Sequence, residues 1–253
     1  MAVVLPADCF LCRASLPWRQ SGSVCQPCWQ RLVWSPGVRL RPGAVRTIFW
    51  AAEYTGTVRR LVHGFKFQGM DYLGAPLGER AADMIRPLLG AGPLPRPDIV
   101  VPVPLHWWRQ YRRGYNQAIL LARPICEWLG VPMVTGFLTR QRRGRSQMGL
   151  SRHLRLRSLA GCFRAHPTAT QAGERHRLVG RTILLVDDVV TTGATLEACA
   201  GALLAAGAGA ILACTLARTP EPTAAPGLGA LKRSVCEESV SSRAAPGWCN
   251  REC

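Results

Sequence analysis

The run Ile183 to Thr195, ILLVDDVVTTGAT, sets two adjacent carboxylates at the end of an apolar segment and follows them with a hydroxyl-rich turn. Asp187 and Asp188 repel one another, and carboxylates are rarely buried without partners. Such a pair calls for a polyhydroxyl ligand, a metal ion or nearby cations. The turn supplies the opposite chemistry. Thr191, Thr192 and Thr195 offer hydroxyl donors, and Gly193 with Ala194 keeps the backbone open to close approach. A helix starting at about Thr195 would aim its free N–H groups at the same place, which makes a phosphate cradle. A ribose 5-phosphate satisfies both halves: the carboxylates accept from its 2′- and 3′-hydroxyls while the cradle takes the 5′-phosphate. The plainer alternative is an acidic helix N-terminus with a threonine cap.

Cys9, Cys12, Cys25 and Cys28 form a second constellation, C-x2-C-x12-C-x2-C. Four thiolates in two knuckles can surround one Zn2+ and hold a short coreless segment in shape. Two disulfides or a redox dithiol are the alternatives. The start of the chain has no basic stretch followed by a long apolar core, so no secretory leader is expected and disulfides are disfavoured. Four thiolates close the coordination sphere, which makes the expected zinc structural. Cys126, Cys162, Cys199 and Cys214 sit in apolar surroundings and read as small buried residues.

VPVPLHWWRQYRRGYNQ, Val101 to Gln117, is a strand end followed by a Pro-stiffened basic loop. Arg109, Arg112 and Arg113 are suited to a pyrophosphate carried with Mg2+; a solvated basic loop is the alternative. Trp107, Trp108, Tyr111 and Tyr115 interleave with the arginines and could stack the bases of a single strand. Trp107 and Trp108 could equally pack against the cysteine segment. His106 reads as a surface or hydrogen-bonded residue. Thr139 to Arg157 is too polar at its start for a core element, and its Arg140, Arg142, Arg143 and Arg145 could neutralise pyrophosphate or grip a nucleic-acid backbone.

The elements that must position these groups follow from periodicity. TIFWAAEY, Thr47 to Tyr54, reads as a strand, and Val58, Leu61, Val62 and Phe65 recur at helical spacing in Gly56 to Gly69. A second helix is predicted over Tyr72 to Leu89, a short strand over Pro97 to Leu105, and a helix over Gln117 to Leu129 that Pro124 should kink. Met133 to Arg140 is a further strand candidate. A strand from Arg181 to Val186, a helix from about Thr195 to Ala206 and a strand from Ala210 to Ala217 complete the pattern. Strands alternating with helices predict an α/β fold with a parallel sheet covered on both faces. In such sheets ligands sit at the C-terminal strand ends, where Asp187 and Asp188 lie.

Three segments result: 1–45, the cysteine module with Gly37 to Gly43 as linker; 46–218, the α/β domain; and 219–253, a tail with no sustained period that reads as disordered. Ala198 to Ala217 runs for 20 residues without a charge, but its Ala and Gly content predicts a helix, a turn and a strand, so no membrane span is expected. The formal net charge is +17, carried almost wholly by arginine, since Lys66 and Lys232 are the only lysines. Between Ile99 and Arg181 stand 15 arginines against Glu127 and Glu174 alone, a field that favours polyphosphates, nucleic acid or an acidic membrane surface.

ILLVDDVVTTGAT resembles the phosphoribosyl pyrophosphate (PRPP) signature of type I phosphoribosyltransferases. With the four-cysteine module, Tyr54, Gly56, Lys66 and Phe67, Val101 to Leu105, Arg112 to Gln117, and Gln147 with Leu150, the chain resembles the ComF family over residues 9 to about 218. That resemblance implies a type I phosphoribosyltransferase-like parallel sheet flanked by helices, with a small N-terminal zinc ribbon. It implies Asp187 and Asp188 at the ribose hydroxyls, and Thr191, Thr192, Gly193, Ala194 and Thr195 at the 5′-phosphate. It also implies Pro104, Leu105 and His106 at the start of the pyrophosphate loop, and Thr139 to Arg157 as a hood closing over PRPP to exclude water. A cytoplasmic bacterial protein is expected, linked to natural transformation and handling incoming single-stranded DNA, in association with the membrane uptake machinery. Its cofactors would be structural Zn2+ and Mg2+ with PRPP. Phosphoribosyl transfer to an acceptor and PRPP sensing without turnover both remain open. Thr191 stands where purine phosphoribosyltransferases carry a base-contacting Asp, which points away from that subclass, and Arg157-Ser158 departs from the family's usual Arg-Asn.

Overall fold

The computed structural model describes residues 8–16, 24–90, 94–141, 161–171 and 173–220. After a short helix α1 (Gln26–Gln30), strand β1 (Gly37–Leu40) turns back into β2 (Thr47–Glu53). Helix α2 (Gly56–Phe67), a 3-10 turn at Asp71–Leu73 and helix α3 (Gly74–Gly90) lead to β3 (Ile99–Pro102). Helices α4 (Trp107–Arg113) and α5 (Gln117–Leu129) follow, then β4 (Leu138–Arg140), β5 (Phe163–Ala165), β6 (Thr168–Gln171) and β7 (Glu174–Arg177). The chain returns through β8 (Thr182–Val190), α6 (Ala194–Ala205) and β9 (Ala210–Arg218).

Five strands form the central sheet in the order β1-β2-β9-β8-β3. β2, β9, β8 and β3 are parallel, and only β1 runs antiparallel, at the edge beside β2. Alternation along β8 sends Leu184 and Val186 into one core and Ile183 and Leu185 into the other. The first core takes Leu61, Val62 and Phe65 of α2, Ala81 and Ile85 of α3, and Leu121 and Ile125 of α5, together with Cys9, Leu16, Val24 and Leu32. The second takes Leu196, Cys199 and Leu203 of α6, with Phe137, Leu138 and Phe163. The expected parallel sheet with helices on both faces is the observed one.

Helix α5 begins at Asn116, whose side chain accepts from the Ala118 N–H at 3.0 Å, and ends at Gly130 in the left-handed conformation. It runs unbroken through Pro124, against expectation. The ring packs where α3 presents Gly78, at which a Cβ would stand 3.1 Å from Pro124. Ala198 to Ala217 is helix, turn and strand, and among the described residues no helix is long and apolar enough to cross a membrane.

Three readings change. Gly37 to Gly43, read as a linker, contains edge strand β1, which continues the main sheet. Met133 to Arg140 is not one strand: Met133 makes an isolated bridge to Val100, and β4 begins only at Leu138. The basic loop after β3 is helical over Trp107–Arg113. Arg142, Arg143, Arg145, Gln147, Leu150, Arg157 and Ser158 lie outside the described residues, as does the tail from Glu221.

Candidate functional site

β8 extends through the acidic pair to Val190, so Asp187 and Asp188 are strand residues facing opposite sides of the sheet. This eases their repulsion in part, because the side chains diverge and Lys66 lies close enough to act on both. Asp188, 8 % exposed, receives the Lys66 ammonium from the last turn of α2 at 2.8 Å from Oδ1. Asp187 is half-buried on the other face, within the electrostatic reach of Arg140, and its Oδ1 accepts the Asp188 N–H at 2.8 Å. Burial, then the adjacent Asp188 charge, push the Asp187 carboxyl up to about 7 despite the pull of Lys66, that N–H and Arg140.

The sequence alone gives Lys66 no role. Its place is set by the Arg112 to Gln117 segment. The Tyr115 hydroxyl and the Gln117 amide (3.4 Å) both donate to the carbonyl of Phe65, pinning the last turn of α2. Asn116 donates to the Val103 carbonyl at 3.1 Å and so ties the start of α5 to the end of β3. Arg113 donates to Gln117 at 3.0 Å, stacks over Phe67 at 4.8 Å, and is lowered from its ordinary value by burial while Asp188 opposes that.

The Thr191–Thr195 turn has a partner that the sequence did not point to. Gly193 has φ +80° and caps α6, where glycine alone is unstrained. A Cβ there would lie 2.2 Å from Arg41 Nη1, the movable end of that side chain, so it is the backbone conformation that calls for glycine. Arg41 donates to the Thr192 carbonyl at 3.4 Å, and the Thr192 hydroxyl accepts from the Ala194 N–H at 3.4 Å. Glu197, in the first turn of α6, accepts from the Ala44 and Val45 N–H groups at 3.0 and 3.5 Å, clamping the β1–β2 turn to the helix that follows the glycine turn. Arg41 thus brings a guanidinium to the Thr191–Thr195 turn.

The loop at Pro104 to His106 lies beside the acidic strand, since the Val103 N–H bonds the Val186 carbonyl at 2.9 Å. His106 is buried and its Nδ1 accepts from the Trp108 N–H at 3.3 Å, capping α4. Arg109 and Arg112 are exposed on α4. Arg140 stacks over Phe163 at 5.2 Å and is lowered from its ordinary value by burial and by Arg109, with Asp187 opposing. Its Nε is buried and has no hydrogen-bond partner among the described residues. Trp107, Trp108 and Tyr111 are exposed on α4, 5.7 and 6.2 Å apart in sequence, centroid to centroid. Tyr115 does not join them: it stacks on Phe65 at 5.9 Å. Trp29 and Trp34, rather than Trp107 and Trp108, pack with the core that holds the cysteine segment.

The four thiols of Cys9, Cys12, Cys25 and Cys28 gather within 4.8 Å of one another, and Cys12 and Cys25 Sγ lie 3.6 Å apart. Sulfurs at 2.3 Å from a tetrahedral Zn2+ stand roughly 3.8 Å apart, so the cluster fits. Backbone N–H groups of Cys12, Cys25 and Leu11 outweigh burial and hold the Cys9 thiol down at about 6. Cys162, Cys199 and Cys214 are buried, while Cys126 is half-buried.

A parallel sheet of this order ending in an acidic pair and a glycine turn defines the type I phosphoribosyltransferase fold, and the phosphoribosyl transferase domain family matches residues 117–235. The chain is 31% identical over 216 residues to the DNA utilization protein YhgH of Salmonella typhi, covering 78% of this chain and 91% of that protein. It is 34% identical over 145 residues to Competence protein F of Haemophilus influenzae, covering 57% of this chain and 61% of that protein, less than two thirds of its length. The chain belongs to the ComF family. Among solved structures, a glutamine PRPP amidotransferase from B. subtilis complexed with ADP and GMP aligns at 22% identity over 58% of this chain and 26% of that one, with a TM-score of 0.36. At that score the likeness adds nothing to the family match.

Proposed function

We propose that the end of β8 binds PRPP. One observation carries this reading: among the described residues Asp187 keeps a carboxylate oxygen without a protein donor, just before a glycine turn that holds backbone amides, threonine hydroxyls and the Arg41 guanidinium. Ribose hydroxyls donate to the carboxylate, and the 5′-phosphate takes the Thr191–Thr195 turn and Arg41. Arg109 and Arg140 offer charge to the pyrophosphate. Mg2+ would accompany that pyrophosphate and lower its charge, with Asp187 the hard oxygen donor that fits it.

The test is calorimetric titration of PRPP with Mg2+. Asp187→Ala is expected to weaken binding at least tenfold, and Arg41→Ala by three- to tenfold, the range for losing one charge-assisted contact. Unchanged affinity in Asp187→Ala refutes the site. Pyrophosphate release with a panel of nucleobases then separates phosphoribosyl transfer from binding without turnover.

Trp107, Trp108 and Tyr111, exposed beside Arg109 and Arg112, support a second role: stacking single-stranded DNA, in line with the DNA-utilization and competence names of the relatives. Trp107→Ala should weaken a salt-sensitive affinity for an oligothymidylate several-fold and leave PRPP binding intact. The four-cysteine cluster is read as a structural zinc site. Purified protein not exposed to chelator should carry about one zinc per chain, and less than about half an equivalent would refute this.

A further inference from the structure

Away from the acidic strand end, the cysteine segment meets the outer face of α2 around a cavity of about 520 Å³. Arg13, Arg59, Arg60, His63, Gln68 and Phe10 line it with Gly56, and no acidic side chain is among its described lining. We infer that this cavity is a second anion site, which takes a phosphate group through Arg13, Arg59 and His63.

Three observations carry the assignment independently of PRPP. The donors are laid out by helix geometry: Arg59 and His63 stand one turn apart on one face of α2, and Arg60 is the neighbour of His63 at the three-residue spacing. Crowding Arg13, Arg59 and Arg60 without a carboxylate is unfavourable unless an anion joins them. The wall opposite is fixed. Arg60 donates to the Leu11 carbonyl at 3.1 Å, and Phe10 packs where α2 has Gly64, at which a Cβ would lie 3.0 Å from the Phe10 ring and 2.7 Å from Met70 Sδ. The third observation is conformational. Arg13, directly after the first cysteine pair, has φ +64° and is the one non-glycine residue with positive φ among those described. Glycine would adopt that turn freely. An arginine kept in a disfavoured backbone conformation at the rim of a cationic cavity points to use of its side chain.

The ligand chemistry is phosphate, from either of two sources: the phosphodiester backbone of a single strand, or a free polyphosphate. His63 and Phe67 rings lie 4.9 Å apart, and Arg113 covers Phe67, so the cationic surface continues from the cavity toward α4. A strand crossing that surface would run from one site to the other.

The experiment uses the full zinc-loaded chain, a fluorescein-labelled 15-nucleotide oligothymidylate read by polarisation, and inorganic triphosphate as a competitor and as a calorimetric ligand. Arg13→Gly suits the backbone, so its melting temperature should equal or exceed the parent's and its PRPP affinity should not change. Arg13→Gly with Arg59→Ala is expected to lower affinity for the probe tenfold or more. For the oligomer, the salt slope should fall by about 1.4, two cations at roughly 0.7 each. Loss for both probes, with triphosphate displacing the oligomer, assigns a general phosphate pocket. Loss for the oligomer without competition by triphosphate assigns a phosphodiester site. Binding of both probes to the double variant as tightly as to the parent overturns the inference, as does failure of both probes to bind the parent. Neither result bears on PRPP, which is read separately.

Discussion

Replacing Lys66 by methionine is expected to lower the unfolding free energy by about 3 kcal/mol, the low end of what stranding one member of a buried ion pair costs. The ammonium stands 2.8 Å from Asp188 Oδ1, with side chains only 18% and 11% exposed, so water does little to screen the pair or to replace the lost partner. Methionine preserves the apolar stem of the lysine, which confines the effect to charge. A second change, Asp188→Leu, removes the stranded carboxylate, and the double variant should recover most of the loss. Urea unfolding of the parent, both single variants and the double variant measures the coupling. A cost below about 1 kcal/mol for Lys66→Met would be the signature of an exposed pair and would contradict the burial described.

That pair also marks the boundary of what the amino-acid order discloses. The run to Asp187 and Asp188 was legible because a continuous apolar strand, a charged end and a glycine turn all lie within one short segment. Helix α2 was legible because Val58, Leu61, Val62 and Phe65 repeat at its period and are, with Gly64, the residues it buries. Helix α4 was not: none of its seven residues is buried, so it has no apolar face to betray a period. Edge strand β1 hides for a related reason, alternating half-buried and exposed positions with Arg39 among them. Partners distant in sequence were invisible in principle. Arg41 meets Thr192 across 151 positions, and Lys66 reaches Asp188 from an end of α2 that Tyr115 and Gln117 pin. The acidic pair predicted that cations would be near. Which cations, and on which face each would stand, required the sheet.

The second large effect comes from the other carboxylate. Asp187 titrates at about 7 in the folded chain against an ordinary 3.8, because burial and the Asp188 charge both penalise its ionised form. A carboxyl raised on folding gives stability that is complete below its unfolded value and is lost as pH climbs through its folded value. Stability should therefore drain away between about pH 4 and pH 7 by an amount on the order of 2–4 kcal/mol. Asp187→Asn isolates this contribution. Its Oδ1 still accepts the Asp188 N–H, but no charge forms, so its stability should exceed the parent's above pH 7 and converge with it near pH 4. The cost is the counterpart of readiness to bind. PRPP hydroxyls need the ionised acceptor, of which about a tenth is present at pH 6 and nine tenths at pH 8 for a group titrating near 7, so affinity should rise roughly tenfold across that interval. In Asp187→Asn that part of the rise disappears, leaving only the titration of the ligand's own phosphates. Parallel stability curves for parent and variant from pH 4 to 8 would show that the carboxyl ionises without penalty, and both expectations would fall together.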